Sequence, residues 1–123
     1  MSKRRRGTAI VETKKGILLT AMEDGLFLLP GGGVKRGESR FRAAIRELEE
    51  ETGLKAHSAR LIFHHESSSN NHAVVLIKAD GKAHPSQEVK YIRYYRPGLN
   101  LRISSGTKGI LKKYFAWKAV QHK

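Results

Sequence analysis

Between Gly32 and Leu54 the chain reads GGVKRGESRFRAAIRELEEETGL, a glycine-rich turn running into a helical pattern that carries several carboxylates. At about 100° per residue, Glu47, Glu50 and Glu51 fall within roughly a 100° arc of a helix beginning near Ser39, while Glu49 points elsewhere. Phe41, Ile45, Leu48 and Thr52 occupy a different arc. One helix can therefore bury an apolar face and present clustered negative charge on another. Like charges at i,i+3 and i,i+4 repel by a few tenths of a kcal/mol per pair, so something positive is expected among them. Arg46 and neighbouring Lys or Arg side chains are one candidate, and a hard divalent cation such as Mg²⁺ or Mn²⁺ is another. A solvated acidic face is the third reading of an EXXEE run taken alone.

The preceding turn and the remaining spacing make the pattern specific. Gly32, Glu38, Arg46, Glu47, Leu48, Glu50, Glu51, Gly53 and Leu54 match G-x5-E-x7-R-E-U-x-E-E-x-G-U, with U aliphatic, at every position. This stretch resembles the Nudix box, and Leu29-Pro30-Gly31 resembles its usual lead-in. The resemblance implies hydrolysis of a nucleoside diphosphate linked to another moiety, cleaved within the diphosphate with Mg²⁺ or Mn²⁺.

That chemistry suits these residues. Diphosphate oxygens are already negative, so cations must neutralise charge on the leaving phosphate and acidify the attacking water. By position in the box, Glu50 and Glu51 are the principal expected ligands, and Glu47 is a ligand or general base. Arg46 is expected to orient a glutamate through charge-assisted hydrogen bonds. Gly31, Gly32 and Gly33 permit a sharp turn close to a bound phosphate, and the resemblance implies a metal contact from the Gly37 carbonyl. Glu38 at the helix start is favoured by the helix dipole, and Gly53 is the expected helix stop.

Acids are scarce outside the box, which leaves Glu66, Asp80 and Glu88 as sources of an additional base or ligand. Glu88, directly ahead of a strand, is the first to test. His64, His65 and His72 lack the partnered spacing of zinc sites and read as strand or surface residues. Tyr91, Tyr94, Tyr95 and Trp117 could stack a base, but core packing is the default reading for them.

The chain has 123 residues, no cysteine and 24 Lys and Arg against 11 Asp and Glu, a formal charge of +13. Residues 1–54 hold 11 basic and 8 acidic side chains, whereas residues 55–123 hold 13 and 3. An acidic patch set in a basic protein suits a polyanionic, nucleotide-like substrate through electrostatic steering. The absence of cysteine fits a reducing cytoplasm, and no apolar run is long enough for a membrane span. MSKRRR reads as a basic arm, disordered until it meets an anion, with a single domain over 7–123. The arm and the basic second half keep RNA in view, as a 5′ pyrophosphohydrolase substrate or as the partner of a catalytically idle binder.

The elements that must position the box are read from pattern. Thr8–Val11 and Ile17–Met22 suggest a hairpin around Lys14-Lys15-Gly16, and Leu26–Leu29 a short strand ending at Pro30. Further strands are expected at 58–66, 72–79 and 88–95, with a loop over 67–71 and a closing helix from about 107 to 120. Periodicity supports one α plus β domain. The resemblance adds the topology, an α/β fold in which a curved mixed β-sheet lies between helices as an α/β/α sandwich. SGTKG at 105–109 lacks the P-loop frame, and Arg36 stands where a third Rossmann glycine would be.

Overall fold

The computed structural model describes residues 2–121. Its strands are β1 (Arg4–Ile10), β2 (Glu12–Thr13), β3 (Gly16–Ala21), β4 (Phe27–Leu28), β5 (Gly31–Gly33), β6 (Lys55–Glu66), β7 (Asn70–Asp80) and β8 (Tyr91–Tyr95). Its helices are α1 (Arg40–Thr52) and α2 (Ser105–Gln121). One sheet has the order β5-β1-β7-β6, and the other joins β2, β3 and β4, with β8 also on β3. The pairing of β1 with β7 is parallel while β5 and β6 run antiparallel to their neighbours, so the first sheet is mixed.

Alternating side chains split the core between two layers. Ala9, Leu18, Val75 and Ile77 pack with Ala44, Leu48 and Leu54 on the α1 side. Ile10, Leu19 and Val74 pack with Ile110, Leu111 and Tyr114 on the α2 side. Consecutive residues such as Ala9 and Ile10 are both fully buried because helices cover both faces, as the period-2 geometry of a strand requires. This is the expected curved, mixed α/β/α arrangement. Two register shifts in β6, at Ala56/Ser58 and Leu61/Phe63, bend that long strand.

Two expectations are corrected. Arg4 to Arg6, assigned to a disordered arm, open β1: they pair with Asn70, Asn71 and His72, and Arg4 N–H donates to the Ser69 carbonyl at 3.0 Å. Backbone pairing with β7 orders them although the side chains of Arg4 and Arg5 remain exposed. Met1 lies outside the described residues. The hairpin exists with a different first arm, since Glu12 and Thr13 pair with Ile17 and Gly16. Thr8 to Ile10 are buried on both sides and belong to the other sheet.

Helix α1 forms where the box predicts. Ser39 Oγ accepts the Arg42 N–H at 3.1 Å as an N-cap, and Gly53, left-handed at φ 79°, donates its N–H to the Glu49 carbonyl. Its apolar stripe fixes which side faces the sheet and so leaves the glutamates beside β5. At Gly7 of β1 an added Cβ would collide with the Arg40 carbonyl and the Ala44 backbone nitrogen. The helix therefore lies directly on the central strand.

Candidate active site

The loop from Pro30 to Ser39 and helix α1 bring the box together around Arg46. Its guanidinium donates to both Glu38 oxygens at 2.7 and 2.9 Å, to Glu47 Oε1 at 2.8 Å, to Glu50 Oε2 at 3.0 Å and to the Gly33 carbonyl at 3.2 Å. Such a fork holds the turn and three carboxylates in one frame, which a lysine point charge could not do. The Arg46 hydrogen bonds and the Lys35 N–H hold the Glu38 carboxyl down at about 2, and Arg46 itself is raised by Glu38, despite burial, with help from Glu47 and Glu50. Glu38 is thus a permanent anion that secures the arginine.

The structure divides the three box glutamates. Glu47, Glu51 and Glu88 each place a carboxylate oxygen within 4.8 Å of the others, whereas Glu50 turns to Arg46 and stands 4.0 Å from Lys35. Among the described residues this is the cluster of acid or histidine side chains able to hold an ion. Glu88 reaches it from a loop. The expected strand over 88–95 begins only at Tyr91, because Ser86 Oγ caps the preceding turn, accepting from Glu88 and Val89 N–H at 3.1 Å. Lys90 N–H then donates to the Ala21 carbonyl, tying that loop to the end of β3.

Glu47 and Glu51 are half-buried and Glu88 is exposed. Burial pushes the Glu51 carboxyl up to about 8, opposed by the Gly31 N–H that donates to Oε1 at 3.1 Å and reinforced by the charge of Glu47. Gly32 has its own reason to be glycine: a Cβ there would sit 2.5 Å from the Glu47 carboxyl carbon. Gly31 and Gly37 are instead required by backbone, at φ 154° and 78°. Gly37 lies in the exposed turn before α1, and Gly33 carries the carbonyl that Arg46 grips.

Sequence reasoning read Arg6 as part of a basic arm and His72 as a strand or surface residue, and assigned neither to the site. Arg6 Nε donates to Thr8 Oγ1 at 3.2 Å and Nη2 to the Leu29 carbonyl at 3.1 Å. Burial lowers its pKa, while Glu51 and Glu47 oppose that shift. His72 lies buried between Thr8 Oγ1, 2.7 Å from Nδ1, and Ser67 Oγ, 3.3 Å from Nε2. Burial first, and Arg6 second, depress it to about 4. The Thr8–His72 contact depends on β1 lying beside β7, a long-range pairing that no local pattern announces. Arg6, Leu28, Leu29, Gly31, Glu51, Glu88 and Val89 surround a cavity of about 120 Å³. Tyr91, Tyr94, Tyr95 and Trp117 lie elsewhere, Tyr95 against Phe115 and Trp117 against Tyr114 and Arg60.

The donor set fits a hard divalent cation. Three convergent carboxylates, two half-buried and one exposed, are oxygen ligands of the type Mg²⁺ and Mn²⁺ take.

A glycine turn, an arginine-bound acidic helix and a mixed sheet between two helices define a Nudix hydrolase. The NUDIX domain family model matches residues 1–98, and the chain belongs to that family. Its members are pyrophosphohydrolases acting on phosphoanhydride bonds and generally use divalent metals, and the chain is an enzyme of that type. A Nudix hydrolase family member from Chromobacterium violaceum superposes with a TM-score of 0.87 at 37% identity, over 94% of this chain and 78% of that one. A MutT NUDIX hydrolase from Burkholderia pseudomallei gives 0.76 at 25% identity, over 91% and 98%. An ADP-ribose pyrophosphatase from Streptococcus suis shares the fold, 0.75 at 18% identity over 97% and 92%. No match was found among curated proteins.

Proposed function

We propose that the protein hydrolyses a phosphoanhydride bond in a nucleotide-like diphosphate compound, with Mg²⁺ or Mn²⁺ held by Glu47, Glu51 and Glu88. The observation that carries this reading is the convergence of those three carboxylates within 4.8 Å beside the glycine turn. A bound divalent ion would neutralise charge on the scissile diphosphate and acidify the attacking water. The protein's own groups do the rest. Arg46 fixes Glu47 and Glu50 in orientation, so that a carboxylate oxygen not engaged with the ion can accept the water's proton. Glu50, exposed and held from one oxygen only at hydrogen-bond distance, is suited to that task. Gly31 to Gly33 let backbone approach the phosphates, while Leu28, Leu29 and Val89 limit water around them.

The test is release of phosphate or pyrophosphate from a panel of nucleoside triphosphates, dinucleoside polyphosphates, nucleotide sugars and inositol pyrophosphates, with and without Mg²⁺ or Mn²⁺. Glu50→Gln, Glu51→Gln and Glu88→Gln are each expected to lower turnover at least about a hundredfold with the fold retained. Metal-independent release, or variants within a few-fold of wild type, would overturn the assignment.

A 5′ pyrophosphohydrolase acting on RNA is the second reading, favoured by the exposed Arg4 and Arg5 in line with Arg6 on β1. Binding to a 5′-triphosphorylated oligonucleotide should then weaken steeply with salt, and a flat response removes this reading.

A further inference from the structure

Beyond the carboxylate cavity lies a second chamber of about 180 Å³, and the two share Arg6, Leu28 and Leu29. The remaining wall comes from Thr8, His72, the β6–β7 turn at Ser67 to Asn70, Ser104 to Thr107 at the start of α2, and Ile110. Seven of its fourteen lining residues carry hydroxyl groups, and these form two sets. Thr8, Ser67, Ser104 and Thr107 are committed within the protein: Thr8 and Ser67 to His72, Ser104 to the Thr107 N–H, and Thr107 to the Leu29 N–H. Ser68, Ser69 and Ser105 have no side-chain partner among the described residues, and Arg6 spends only Nε and Nη2 on the protein.

Two further properties narrow the occupant. The lining has one fixed positive charge, Arg6, and no acid. It also offers no accessible aromatic ring on which a nucleobase could stack, since its one ring is His72, 6% exposed with both nitrogens engaged. Stacking on an aromatic face is the usual way unpaired bases are held. The chamber is also small beside the roughly 300–1,000 Å³ pockets of drug-sized ligands. We infer that this chamber receives a phosphorylated sugar, making the preferred substrate a diphosphate whose enclosed end is a sugar phosphate and not a base. Arg6 stands between the two halves as a specificity residue, its free Nη1 available to a phosphate oxygen, while the unpaired serine hydroxyls face a hydroxyl-rich ligand. This inference rests on the proposed reading that the carboxylate cavity holds the diphosphate.

Binding and turnover test the two readings separately. Ribose 5-phosphate, adenosine and inorganic phosphate are titrated into the 15N-labelled protein. Ribose 5-phosphate should shift the amides of Ser67 to Asn70 and Ser104 to Thr107, adenosine should not, and inorganic phosphate should bind at least about tenfold more weakly. Ser105→Glu, an acid in the first turn of α2 that the helix dipole favours, should fold normally and weaken ribose 5-phosphate at least tenfold. Arg6→Met should do the same and Arg6→Lys should restore part of the loss; should Arg6→Met fail to fold, Ser105→Glu decides. In turnover with Mg²⁺, kcat/KM for 5-phosphoribosyl 1-diphosphate should exceed that for dGTP by at least tenfold, and Ser105→Glu should raise KM more than it lowers kcat. Adenosine shifting the same amides, phosphate binding as tightly as ribose 5-phosphate, or neither variant altering affinity would each overturn the inference. Loss of all turnover with Arg6-dependent sugar-phosphate binding intact would support the chamber and remove the hydrolase reading alone.

Discussion

Replacing Glu51 by glutamine should stabilise the metal-free protein at alkaline pH and abolish its response to Mg²⁺. In the folded chain burial raises the Glu51 carboxyl from 4.5 to about 8. A folded pKa above the unfolded one means that the folded state holds the extra proton between those values, so stability falls as pH rises through that window. At about 1.4 kcal/mol per pH unit the full interval corresponds to roughly 5 kcal/mol, and about 3 kcal/mol is a conservative figure for a group with some solvent contact. For a chain of this size that is on the order of 10 °C in Tm. Glutamine keeps an oxygen for the Gly31 N–H and carries no charge. Thermal unfolding in EDTA at pH 5 and pH 8 should therefore show wild type losing stability relative to Glu51→Gln, and Mg²⁺ at pH 8 should restore wild type alone. Parallel pH profiles for the two proteins, or equal stabilisation by Mg²⁺, would refute the account of a buried carboxylate awaiting a cation.

Three further outcomes follow from the same geometry. Gly32→Ala, whose methyl would lie 2.5 Å from the Glu47 carboxyl carbon, should lower kcat by roughly tenfold or more while Tm moves by only a few degrees. Arg46→Lys should lower turnover by at least about tenfold, because one ammonium cannot serve Glu38, Glu47, Glu50 and the Gly33 carbonyl together; the kinetics of the variant at saturating substrate decide. His72, depressed to about 4, takes up its proton in the unfolded chain near 6.5 and in the folded protein only near 4. Stability should thus fall as pH drops from 6.5 to 4, by about 1–2 kcal/mol after allowance for solvent screening, and urea titrations of His72→Gln should lack that component.

The helix and its caps were legible because every determinant is local: Ser39, the stripe through Leu48, and Gly53 all act within a few residues. The acidic face was legible for the same reason. Which carboxylates converge was not, since Glu47 and Glu50 lie one turn apart and both accept from Arg46, while the third member of the cluster, Glu88, is brought from a loop. Glu88 stands out through the scarcity of other acids, not through any pattern around it. Arg4 to Arg6 misled because composition reports charge and is blind to parallel pairing with a strand more than sixty residues away. The second chamber, assembled from β1, the β6–β7 turn and α2, likewise has no signature in any single stretch.

The seating of β1 bears on how the molecule is handled. Lys3 lies 3.7 Å from Glu66, and Arg4 is stitched to Ser69, which lines the second chamber. Any affinity handle or fusion joined ahead of Lys3 therefore emerges at the rim of the cleft, where it can shade the serine turn and alter apparent ligand preference. Purification sequences belong after α2, whose last described residue, Gln121, is exposed and far along the chain from that turn.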